Sequence, residues 1–240
     1  MASGYVTDER AVPGTRDPSD TAETRITIDA SNGCERLEQR VIRFDEGRSQ
    51  PRTSGDSQEV LYVVSGTGAI ELEGTPHPLE PDTGVYVAPG ETYTIESDGD
   101  DQLVLVSVTA PAERAPDGNV RRVTVRYAEQ TPLPATPNRE FRYIINEEAG
   151  CPDVTQFVGV IPPGRAGFHN HTYDEVVYVL EGEGLLHLGG ETTQLRQGSC
   201  IHLPPLVMHS IENSGVRPMR VLGVFHPSGD PASRASEAGH

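Results

Sequence analysis

His169 and His171 are separated by one residue, Glu175 follows four positions later, and His209 stands further along between Pro204 and Asn213. On an extended segment alternate side chains share a face, so the first two imidazoles can converge on one ion. Glu175 returns from beyond a short turn, and His209 arrives from a later strand. Three nitrogen donors and one oxygen donor suit a divalent first-row metal such as Fe, Mn, Ni, Co or Zn. One ion per chain is expected, held by His169, His171, Glu175 and His209, with Glu175 also able to act as a catalytic base by detaching during turnover. His187 and His202 on flanking strands, and Tyr173 and Asp174 in the ligand loop, are candidates for holding a ligand imidazole in one tautomer.

Written as spacing, the segment reads G-x4-H-x-H-x3-E-x6-G from Gly164 and then G-x5-P-x4-H-x3-N from Gly198. These paired motifs resemble those of the cupins. The resemblance implies antiparallel β-barrels of jelly-roll type, with three histidines and a glutamate holding a metal inside the barrel. Two departures are visible: four residues rather than five separate Gly164 from His169, and Leu206 stands where the second motif has glycine. Neither alters a ligand.

The elements that must carry these residues occur twice. EVLYVVSGTG from Glu59 matches EVVYVLEGEG from Glu175, an offset of 175 − 59 = 116, while upstream the offset becomes 117, pairing Arg25 with Arg142, Cys34 with Cys151 and Gly47-Arg48 with Gly164-Arg165. The chain is therefore read as a duplicated, bicupin arrangement. Opposite His169, His171 and His209 the first copy offers Thr53, Gly55 and Tyr93, and only Glu59 matches its counterpart. One carboxylate without imidazoles is a poor transition-metal site, so the N-terminal barrel is expected to be a packing partner. A metal-free pocket using Tyr93 and Glu59 is the alternative. Arg165 has its counterpart in Arg48, which favours a role in the fold.

A chain of 240 residues with 25 glycines and 20 prolines suits two barrels of short strands joined by tight turns. The fold class is all-β, two tandem cupin barrels. An arm is expected over 1–24, the N-terminal barrel over 25–110, a linker containing a strand over 111–138, the metal-binding barrel over 139–227, and a frayed tail over 228–240. The only hint of helical period lies near Glu35 to Arg40. Runs apolar on both parities, such as Val176 to Leu180, read as strands buried on both faces. That surplus of apolar surface suggests a homodimer.

Acidic residues outnumber basic ones 36 to 19, a formal charge of −17, and no lysine is present. A nucleic-acid partner would need a basic stripe, and Schiff-base or Walker-type phosphate chemistry would need lysine. Three cysteines, an odd number, argue against a disulfide framework. Cys34 and Cys151 look structural, and Cys200, leading to His209, is the one candidate for a reactive role. With no apolar leader in residues 1–24 and no membrane-length apolar run, a cytoplasmic protein with a small-molecule substrate is expected.

Four protein ligands on an octahedral metal leave two positions, enough for a bidentate substrate or for a substrate oxygen and dioxygen. The resemblance implies a metal-dependent enzyme acting on a small oxygenated molecule, with a dioxygenase as the leading expectation. The alternatives are non-oxidative enolate chemistry (isomerase, cyclase or decarboxylase), a ureidoglycine aminohydrolase-like hydrolase, and a non-catalytic metal-binding module. Among cupins the fold does not fix the reaction.

Overall fold

The computed structural model describes residues 4–99, 101–115 and 121–233. Each half forms a seven-stranded and a four-stranded antiparallel sheet. Valines recur through the central ladders, in which Gln58–Ser65 pairs with Leu103–Ala110 and Asp174–Glu181 with Met219–His226. Among the described residues only short 3-10 turns interrupt the strands, and no helix is long and apolar enough to cross a membrane. The helical hint at 35–40 is not realised, because Glu38–Phe44 is a strand whose alternate residues are claimed by two different cores.

Three apolar cores result. Leu61 and Val63 point into the first barrel with Ile42, Ile70 and Ile95, while Val177 and Val179 point into the second with Leu186, Leu195 and Leu203. The intervening residues Val60 and Tyr62, and Val176, Tyr178 and Leu180, meet in a third core between the two large sheets. There the backbones approach closely: a Cβ on Gly84 would lie 2.1 Å from Cγ2 of Ile144. The double-sided apolar runs that suggested a homodimer are thus covered by the other barrel of the same chain.

The halves also exchange edges. Tyr5–Asp8 pairs with Ser199–Leu203 of the second barrel, Val6 opposite Ile201, while Thr124–Arg126 pairs with Thr83–Val87 of the first, Thr124 opposite Val85. Since 85 + 116 = 201, the leading strand of each half caps the equivalent edge of the other half. The pairing covers an edge that would otherwise expose a row of backbone donors and acceptors. Glu9, just beyond the arm strand, is buried, 2.9 Å from the Arg43 guanidinium and receiving the Tyr178 hydroxyl at 3.2 Å.

The expected fraying of the tail is not seen over 228–233. Ser228 Oγ donates to the Pro152 carbonyl at 2.6 Å, and the Gly229 backbone exchanges hydrogen bonds with Thr155 Oγ1 at 3.1 Å. Asn119 and Val120 of the linker, and residues 234–240 of the tail, lie outside the described residues.

Candidate metal centre

The three imidazoles come together inside the second barrel. Ring centroids of His169 and His209 are 4.5 Å apart, and those of His171 and His209 are 4.9 Å apart. Backbone pairing fixes the loops that carry them: His169 N–H donates to the His209 carbonyl at 3.0 Å, His209 N–H returns a bond at 2.9 Å, and Leu206 N–H donates to the His171 carbonyl at 2.7 Å. Glu175 projects inward from Asp174–Glu181, with Leu203 and Phe225 as its cross-strand neighbours.

Each ring is oriented through Nδ1. That atom lies 3.2 Å from the Gly167 carbonyl in His169, 2.9 Å from the Tyr173 carbonyl in His171, and 2.8 Å from the Val207 carbonyl in His209. A carbonyl only accepts, so each Nδ1 carries the proton, leaving Nε2 as the lone-pair donor in a neutral ring. His171 Nε2 is buried without a hydrogen bond, yet stands 2.9 Å from a Glu175 carboxylate oxygen. Two lone-pair-bearing atoms held face to face call for a cation between or beside them. The residues present therefore fit a divalent metal.

The supporting shell is aromatic. Tyr173 stacks on His171 with centroids 4.1 Å apart and on Phe225 at 3.9 Å, which limits rotation of the His171 ring. A Cβ on Gly223 would lie 2.3 Å from Phe157 Cε1 and 3.0 Å from Glu175 Oε1. A cavity of about 110 Å³ adjoins the four ligands, with Phe157, Tyr173, Val177, Leu203 and Arg139 also on its wall. Arg139 Nη2 donates to the Ile211 carbonyl at 2.9 Å. This arginine was missed in the sequence, where it lies 30 residues before the first ligand with no pattern to single it out. A larger surface cleft of about 460 Å³, bordered by Val6, Glu183 and Arg196, holds no comparable constellation.

The other sequence candidates divide. His187 turns away from the centre, bonded to Glu212 at 2.9 Å and Thr192 at 3.1 Å. Asp174 and His202 pair with each other at 2.9 Å on the opposite face of the sheet from Glu175. Arg165 lies over the Phe168 ring at 4.5 Å. Cys200 is fully buried and burial drives its thiol far above the ordinary range, so it is not a reactive nucleophile.

In the first barrel the backbone bridge corresponding to His169 and His209 joins Arg52 to Tyr93, with hydrogen bonds of 2.8 and 3.0 Å. The counterpart of His169 is therefore Arg52, not Thr53. Gly90 N–H donates to the Gly55 carbonyl at 2.7 Å, as Leu206 does to His171, so Gly55 keeps its assignment. The one-residue difference between the copies falls between the first two ligand positions. Arg52 pairs with Asp20 at 3.0 Å and lies over the Phe44 ring of the first barrel's core. In place of a metal, the Tyr93 hydroxyl donates to both Glu59 oxygens at 3.1 Å, and Ser107 Oγ donates to the same carboxylate. Burial pushes the Glu59 carboxyl upward despite these donors and the nearby Arg40 and Arg52 charges.

This duplicated barrel, with its candidate metal ligands in one copy only, places the chain in the cupin family: the Cupin domain model matches residues 40–109 and again 157–225. An Oxalate-binding protein of Thermotoga maritima is 30% identical over 112 residues, covering 43% of this chain and 93% of that protein. The chain spans only about half the length of the first curated relatives it matches, 56% and 53% of two uncharacterized proteins. Among solved structures, the protein Ylba of E. coli aligns with a TM-score of 0.80 at 13% identity, over 95% of this chain and 93% of that one. Oxalate decarboxylase of Bacillus subtilis, a protein with Mn(II) centers, aligns at 0.74 and 13% identity, over 94% and 78%.

Proposed function

We propose that the chain is a metal-dependent enzyme acting on a small carboxylate in its C-terminal barrel. The observation that carries this reading is the cavity: about 110 Å³, walled by three imidazoles, a carboxylate and Arg139. That is well below the ~300–1,000 Å³ of pockets for drug-sized ligands, which favours molecules the size of oxalate over flavonols or extended diketones. The similarity to an oxalate-binding protein supports the same substrate class.

His169, His171 and His209 would hold the metal through Nε2, with Glu175 as the fourth ligand. When bound, the metal supplies a Lewis acid that polarises a carbonyl or carboxylate oxygen. Arg139, on the cavity wall, would draw a substrate carboxylate by its positive charge. Phe157, Tyr173 and Leu203 exclude water from the reacting groups. A dioxygenase is the second reading: His169, His171, Glu175 and His209 would equally hold Fe(II), which would supply oxygen chemistry.

The test is calorimetric titration of metal-loaded protein with oxalate and with short 2-oxo and 2-hydroxy acids, paired with oxygen uptake. Binding that weakens about tenfold or more in Arg139→Met, with partial recovery in Arg139→Lys, is the expected result. Oxygen uptake with catechols or diketones, and no binding of small acids, would replace this reading with the second.

A further inference from the structure

Cys34, Asp174 and His202 meet between the two barrels, on the opposite side of the large sheet from Glu175. One donor atom from each lies within 4.8 Å of the other two. Cys34 is 1% exposed and His202 is 0% exposed, while Asp174 is half-buried, so the cluster sits at the margin of the third core. The repeat brings an unusual comparison. Cys34 matches Cys151 at an offset of 117, while Asp174 matches Gln58 and His202 matches Tyr86 at an offset of 116. In the related position the Cys151 thiol donates to Gln58 Oε1 at 3.0 Å and the Tyr86 hydroxyl hydrogen-bonds the same sulfur. That trio is neutral and internally satisfied. At Cys34 the same fold positions carry a thiol, a carboxylate and an imidazole.

From these groups we infer that Cys34, Asp174 and His202 form a second metal site, structural in role and selective for zinc, that joins the two barrels. The donor set is borderline-soft, as zinc prefers. A thiolate and a carboxylate balance a dication, so the filled site carries no net charge, which is what a buried ion requires. The N–H groups of Arg36 and Leu37 already point at the Cys34 sulfur, an arrangement that favours a thiolate. His202 Nε2 is 2.9 Å from Asp174, a separation compatible with two ligands of one ion, and its Nδ1 is buried without a hydrogen bond. His226, the cross-strand neighbour of Asp174, is buried with neither ring nitrogen hydrogen-bonded, but its Nε2 faces Glu113 at 3.8 Å and it is not one of the three clustered donors.

The Cys-His-Asp combination also resembles a nucleophilic triad, but that use needs a substrate at the sulfur. Neither Cys34 nor His202 lines the cavity at the first centre, and burial pushes the Cys34 thiol up to about 12. A metal displaces that proton without needing access for a substrate. This ion lies outside both barrel interiors and raises the count above the one ion per chain that the duplication led us to expect. It stands or falls independently of the proposed enzymatic activity.

The full chain, purified and equilibrated with zinc, should hold about two equivalents, falling to about one in His171→Ala and about one in Cys34→Ser. Loading with cobalt(II) should produce a thiolate-to-cobalt charge-transfer band in the near ultraviolet. That band should persist in His171→Ala and in Cys151→Ser and vanish in Cys34→Ser. Cobalt-loaded wild type without the band, or a band that survives Cys34→Ser, overturns the assignment. Should Cys34→Ser fail to fold, the wild-type spectrum and the metal count of His171→Ala decide alone: a band and one remaining equivalent support the site, and loss of either refutes it.

Discussion

Leu206→Ala and Leu206→Gly remove the same exposed side chain and differ only in what the backbone tolerates. Leu206 has φ +63°, in the left-handed region, where an L-residue bears about 1–2 kcal/mol of steric cost. Its repeat counterpart Gly90 has φ +81°, so the turn itself demands this conformation. At an ordinary position glycine is about 0.5–1 kcal/mol less stable than alanine, because it has more freedom to lose. Subtracting that from the steric relief leaves glycine ahead of alanine at 206 by about 0.5–1 kcal/mol, or roughly 1–4 °C in Tm for a chain of this size. Gly90→Ala is the mirror control. Its added Cβ meets nothing within 4 Å, so any loss is backbone strain, about 1 kcal/mol. Denaturant unfolding of the three variants and wild type checks the set. Equal or greater stability of Leu206→Ala over Leu206→Gly would refute the assignment of strain to this turn.

Glu59 has its folded-state pKa raised by burial, so the protein loses stability as pH rises from the ordinary carboxylate range toward that raised value. Glu59→Gln should flatten the decline, and an unchanged stability–pH curve would show that the carboxyl is not held neutral. Gly223→Ala should cost about 1–3 kcal/mol by overpacking against Phe157 and weaken metal binding about tenfold or more by displacing Glu175, both measurable by denaturation and metal competition. Deleting residues 1–12 removes four ladder positions and should cost about 2–6 kcal/mol at ~0.5–1.5 per hydrogen bond. A truncated chain as stable as the whole would show that the arm strand contributes nothing.

The convergence of the candidate ligands was legible because the pattern of His169, His171, Glu175 and His209 needs only strand alternation and one turn to bring them together. The duplication exposed which barrel lacks them. It did not place the one-residue gap between the first two ligand positions, since Arg52 and Thr53 both differ from histidine and only the backbone bridge to Tyr93 separates them. Val60 to Val63 and Val176 to Val179 announced burial on both faces, but periodicity does not say what covers the second face. The covering surface is the other barrel, not a second chain. Tyr5–Asp8 and Ser199–Leu203 join residues some 190 apart, a pairing that no local pattern encodes. Arg139 was invisible for the same reason.

The exchange of leading strands also sets an order of assembly during synthesis. The first barrel, though its own residues emerge early, cannot close its outer edge until Thr124–Arg126 has left the ribosome. The second barrel finds its missing strand, Tyr5–Asp8, already made and waiting at the far end of the chain. Each half is thus a template for finishing the other. A chain cut in the linker on the N-terminal side of Thr124 would separate the first barrel from the strand that completes it, yet leave both pieces bound by the two exchanged ladders. Such a nicked protein should elute as a single species under native conditions and come apart only on unfolding.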